Sequence, residues 1–88
     1  MAQIRRAASS VPANIAEGYG RGSTPSFVQF LRVAQGSLKE LETHLLLAER
    51  IKMLAPEASS ALLSACDEIG RMLRSMIRSL QNRAGVRR

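Results

Sequence analysis

Tryptophan is absent, and Tyr19, Phe27 and Phe30 are the whole aromatic complement, 3% of 88 residues. A core without broad flat side chains has to be built from Leu, Ile, Val, Met and Ala, a set that suits helices better than sheets. Strand signals are missing as well: no stretch alternates apolar and polar residues, and no Asn-Gly pair marks a hairpin. The single cysteine, Cys66, excludes an internal disulfide framework and a cysteine-based zinc site, and fits a reducing compartment. No apolar run approaches the roughly 18–20 residues that span a bilayer. The start, Met1-Ala2-Gln3-Ile4-Arg5-Arg6, has the arginine pair of an export signal, yet Ser9, Ser10, Pro12, Asn14 and Glu17 break up its would-be hydrophobic region. A cytoplasmic chain is expected.

Catalytic constellations are equally scarce. His44 is the only histidine, and no Cys, Ser or carboxylate stands as a triad partner for it beside the Leu41/Leu45 stripe. Cys66 falls on an apolar stripe and reads as a small core residue. Glu40/Glu42 and Asp67/Glu68 are not spaced three or four apart, and no Glu-x-x-His motif supplies a di-metal site. The loop Gly18-Tyr19-Gly20-Arg21-Gly22 precedes a helix start, where free N–H groups favour anions. A helix rather than a strand leads into it, Ser23 occupies the third glycine position of a dinucleotide loop, and no Gly-Lys-Ser/Thr follows. It reads as a turn in which Gly18 or Gly20 provides a left-handed helix cap. No enzyme activity, metal or cofactor is expected.

What is present is helical periodicity. Pro25, capped by Ser23 or Thr24, and Pro56 each suit the first turn of a helix, which divides the chain into helices of about 2–18, 25–53 and 56–83 with a basic tail at 84–88. In the middle helix Phe27, Leu31, Val33/Ala34, Leu38, Leu41, Leu45 and Ala48 alternate at four and three, a heptad seam, and Phe30, Leu46, Leu47 and Ile51 widen it. The last helix repeats the pattern with Leu62, Cys66, Ile69, Leu73, Met76 and Leu80, flanked by Met72 and Ile77. These two helices predict an antiparallel hairpin, with the first segment (Ile4, Ala7, Ala8, Val11, Ile15, Tyr19) lying across it and kinked at Pro12. Gly36 and Gly70, costly inside helices, suggest close approach of two backbones. The fold class is all-α, an antiparallel helical bundle within one domain, 1–88. Three helices do not cover seams this wide, so an apolar face is left over.

Charge carries the functional signal. Thirteen Lys+Arg, eleven of them Arg, stand against seven Asp+Glu, for a net charge of +6. Residues 1–68 balance to zero, and no acid follows Glu68, so the whole excess is Arg71, Arg74, Arg78, Arg83, Arg87 and Arg88. Arg71, Arg74 and Arg78 form a stripe on the last helix. Part of this suits a helix C-terminus, and Asp67 is placed to pair with Arg71. Six arginines exceed what capping needs, and the guanidinium fork matches phosphate. With so few aromatics, nucleic-acid binding would be directed at the backbone and strongly salt-dependent. The other reading, a solvated, ion-paired surface on a protein-binding scaffold, stays open at this point.

Two stretches carry a family resemblance: Gln3-Ile4-Arg5-Arg6-Ala7-Ala8 with Val11-Pro12-Ala13-Asn14-Ile15-Ala16-Glu17-Gly18, and Gly36-Ser37-Leu38 with Glu40-Leu41-Glu42-Thr43 and Leu45. Phe27-Val28-Gln29-Phe30-Leu31, Ala34 and Ile69-Gly70 extend it over essentially the whole chain. These residues resemble the bacterial four-helix-bundle family of 23S rRNA intervening-sequence proteins, to which the accessory variability determinant of diversity-generating retroelements is related. The resemblance implies a four-helix up-and-down bundle, a homopentameric assembly, no enzymatic activity, and association with RNA or a nucleic-acid-binding protein. It also implies a helix ahead of Gln3-Ile4-Arg5-Arg6, so the expectation is three helices of four, with the N-terminal one missing.

Overall fold

The computed structural model describes residues 1–83, and these form three helices: α1 (Ala2–Gly20), α2 (Thr24–Arg50) and α3 (Pro56–Arg83). Pro56 opens α3 as its spacing predicts, and α2 starts with Ser23 as N-cap in extended conformation, its Oγ accepting from the Ser26 N–H at 3.3 Å. The basic tail at 84–88 lies outside the described residues.

Both turns differ in detail from the sequence reading. α1 runs on to Gly20, and its cap, Arg21, is right-handed; the left-handed residue is Gly22, at φ +81°, rather than Gly18 or Gly20. α2 ends at Arg50 instead of 53 because Lys52 turns left-handed at φ 65°. That reversal brings the Met53 N–H to the Ala48 carbonyl at 2.8 Å, closing the helix end with the six-to-one bond of a Schellman motif on a lysine. Helix α1 continues through Pro12, which sits on its exposed side, where water can take the Ala8 carbonyl that proline leaves without a donor.

The α2–α3 hairpin is as expected, but α1 packs along α2 alone; no Cα of α1 comes within 8 Å of one in α3 among the described residues. Helix α2 is therefore the middle of a layer, and it buries Leu31, Ala34, Leu38, Leu45 and Ala48 of the heptad seam, with Phe27 and Leu41 half-buried. Val33, the alternative at that point of the seam, is exposed.

Along α1 the contact is close and partly polar. Ala7 and Val11 are buried, the Ser10 and Ser37 hydroxyls meet at 2.7 Å, and Asn14 Nδ2 donates to the Ser10 carbonyl at 2.8 Å. Gly18 is buried against α2: a Cβ there would stand 2.7 Å from Phe30 Cβ and 3.3 Å from the Phe27 carbonyl oxygen. The close helix approach is thus at Gly18. Gly36 faces open space, and a Cβ on Gly70 would meet only ordinary contacts, at 3.4 Å from Leu38 Cδ2 and Arg74 Nη1. Tyr19, expected to join the packed face of α1, is exposed, its ring edge-on to Phe27.

On α3 the stripe read from the sequence divides in two. Ser59, Cys66, Gly70, Leu73 and Ile77 are buried against α2. Leu62 and Ile69 lie on an adjoining stripe with Met72 and stay exposed, at 44%, 37% and 64%. The apolar arc of α3 is wider than one neighbouring helix can cover, so α2 takes one side of it. With Leu46, Leu47, Ile51 and Met53 also exposed, the leftover apolar surface is present among the described residues.

Candidate nucleic-acid interface

His44 is half-buried, with Nε2 3.6 Å from Glu40 Oε2 and no hydrogen-bond partner. Burial, with Glu42 nearby, raises the Cys66 thiol above its ordinary pKa, so the reactive thiolate is disfavoured. Cys66 lines a cleft of about 250 Å³ between α2 and α3, together with Glu42, Asp67, Lys39 and Arg74. That is below the roughly 300 Å³ at which small-molecule pockets begin, and its charges alternate in sign. Among the described residues no three His, Cys, Asp or Glu side chains are grouped to hold a metal ion, and no helix is long and apolar enough to cross a membrane.

The arginines are divided by the α2–α3 packing. Arg71 Nη2 bonds Asp67 Oδ2 at 2.9 Å, one turn back, as its spacing anticipates. Arg74 and Arg78 have no carboxylate oxygen within 4.0 Å among the described residues, and both line a shallow groove along the α2–α3 junction. Arg74 lies between this groove and the Cys66 cleft and lines both, its Nη1 on the side of Gly70. Arg83 is apart from them, lining a depression at the α1–α2 turn with Gly22, Ser23 and Tyr19. Arg87 and Arg88 lie outside the described residues.

One arginine of the groove was not singled out in the sequence, nor were its two glutamines. Arg32, on α2, faces Arg74 and Arg78 across it, with Gln35 and Gln81 beside them. The signal that finds Arg32 is the hairpin itself: folding the chain back at Met53–Ala55 sets Leu38 against Gly70 and carries Arg32 to the level of Met76, between Arg74 and Arg78. Charge counted along the chain has no access to that pairing.

The family model for 23S rRNA-intervening sequence proteins matches residues 1–75. The chain belongs to this family. No curated protein matches it. The two stretches that carry the family likeness meet each other in the fold. Arg6 of the first donates to Glu40 Oε2 of the second at 2.9 Å, and Ser10 meets Ser37 between them. Glu17 holds Arg21 at 3.0 Å, which in turn lies over the Phe30 ring, 4.9 Å from its centroid. Residues of these two stretches thus fasten α1 to α2, whereas the groove arginines lie along the α2–α3 junction.

Proposed function

We propose that the protein is non-enzymatic and oligomeric, and binds RNA or an RNA–protein complex through the arginine edge of α3. The observation that carries this reading is the pair Arg74 and Arg78, held side by side on a rigid helix with no carboxylate within 4.0 Å among the described residues. Guanidinium groups left without acidic partners in a groove are suited to bridging phosphate oxygens. Membership of a family described by its 23S rRNA intervening sequence is consistent with an RNA ligand. Arg71, Arg83, Arg87 and Arg88 complete the proposed contact set. Subunits associate through the exposed apolar residues of α2 and α3, five being the number the resemblance implies, in the cytoplasm.

The test is a salt series on a structured RNA followed by fluorescence anisotropy. Affinity should fall steeply with salt, and Arg74→Gln with Arg78→Gln should weaken binding across all sequences alike and lower the log–log salt slope by about two. An unchanged slope removes the α3 edge from the interface. The second reading, a scaffold that binds only protein, is favoured by the exposed Leu62, Ile69 and Met72. Self-association with no measurable RNA binding at low salt would select it.

A further inference from the structure

The groove along the α2–α3 junction has cationic groups on both walls: Arg32 on α2, Arg74 and Arg78 on α3, with Ile77 at the floor. Arg74 and Arg78 are one helical turn apart, about 6 Å along the axis. Arginines drawn from two helices can meet a lengthwise ridge of negative charge from both sides of this shallow groove. None of the three aromatic rings is available to stack a base there. Tyr19 and Phe27 pack edge-on at the α1–α2 turn, and Phe30 lies beneath Arg21. Single-stranded RNA is bound by stacking its bases on aromatic platforms. A double helix keeps its bases inside and presents backbone and 2′-hydroxyl groups, which arginines and amides such as Gln35 and Gln81 can engage.

We propose that this two-walled groove is a site for the sugar–phosphate backbone of double-helical RNA, with Arg32 as a phosphate contact equal to Arg74 and Arg78. The proposal rests on the RNA reading above and adds to it the strandedness of the ligand and the α2 wall.

Two probes with the same number of phosphates separate the possibilities: a blunt RNA duplex and an unstructured single strand. Binding of the full chain is measured by anisotropy over a salt series, for the wild type and for Arg32→Gln and Arg74→Gln. Both positions are exposed to solvent, and circular dichroism checks that the variants keep their helices. The expected result is a duplex preference of tenfold or more. Each variant should lose several-fold affinity for the duplex and lower the salt slope by about one. Equal or tighter binding of the single strand overturns the duplex assignment while leaving RNA binding standing. Loss in Arg74→Gln with none in Arg32→Gln overturns the two-walled groove. No change in either variant overturns the α3 edge as an RNA surface altogether.

Discussion

A methyl group added at position 18 would lie 2.7 Å from Phe30 Cβ and 3.3 Å from a backbone oxygen, so α1 would have to move off α2 to admit it. The same methyl at position 36 would meet nothing within 4 Å. Gly18→Ala is therefore expected to destabilise the fold by about 1–3 kcal/mol, the usual cost of overpacking. Gly36→Ala should stabilise it by up to about 1 kcal/mol, the propensity gain of alanine inside a helix. Denaturant unfolding of the two variants measures both, and the reverse ordering would refute this account of the helix contact. These glycines also mark where residue-level reading stops. A glycine within a helical pattern announces that something is unusual, but whether a neighbour presses on it depends on a helix elsewhere in the chain. Gly18 resembled a cap because Gly20 and Gly22 follow it; only the position of Phe27 and Phe30 makes it a packing residue.

Between elements, the α1–α2 contact is fastened by Arg6 and Glu40. The hydrogen bond and charge of Arg6, with a smaller contribution from His44, hold the Glu40 carboxyl below its ordinary pKa of 4.5. A carboxylate with a lowered folded pKa adds stability that is present above 4.5 and disappears as pH falls through the lowered value. Glu40→Gln should accordingly melt below the wild type at pH 7, and the gap should close as the buffer is taken below pH 4.5. A gap that stays constant with pH would mean that the glutamate acts through its shape and not its charge. Salt should narrow the gap too, because both side chains are exposed. The helices themselves were legible in the sequence, since Pro25, Pro56 and the alternation along Leu31, Ala34, Leu38 and Leu45 are local signals. The ends were less so: Lys52 adopts a left-handed turn that its residue type does not advertise. For α3 the period was readable but its phase was not. Its apolar arc contains two adjacent stripes, and only the position of α2 decides that Cys66, Gly70, Leu73 and Ile77 are inside while Leu62, Ile69 and Met72 are out. The groove was half legible for the same reason, its α3 wall lying in one run of sequence and Arg32 on another helix.

At the scale of the whole molecule, the radius of gyration is 14.7 Å, against about 12 Å for a compact chain of this length, because α1 and α3 flank α2 instead of closing on each other. A layer has two sides, and on α3 they differ in kind. Ile69 and Arg78 are nine residues apart, half a revolution at 100° per residue, so the open apolar stripe and the arginine edge point in opposite directions. Burying Leu62, Ile69 and Met72 in a subunit contact would leave Arg74 and Arg78 free, and the two proposed activities can be removed separately. Ile69→Gln combined with Met72→Gln changes no charge and touches side chains already exposed, so it should alter the stability of the dilute chain by only about 0.5 kcal/mol or less. If the apolar stripe is an association surface, the wild-type melting temperature should climb with protein concentration, as mass action requires. For a chain this small, each 1 kcal/mol gained on association raises it by roughly 4–8 °C. The double variant should show a melting temperature independent of concentration and a smaller mass by light scattering, with RNA affinity per chain at low salt retained. Melting temperatures that ignore concentration in both proteins would show that the stripe joins no subunits. Loss of RNA binding along with assembly would show that the arginine edge functions only when several copies are brought together.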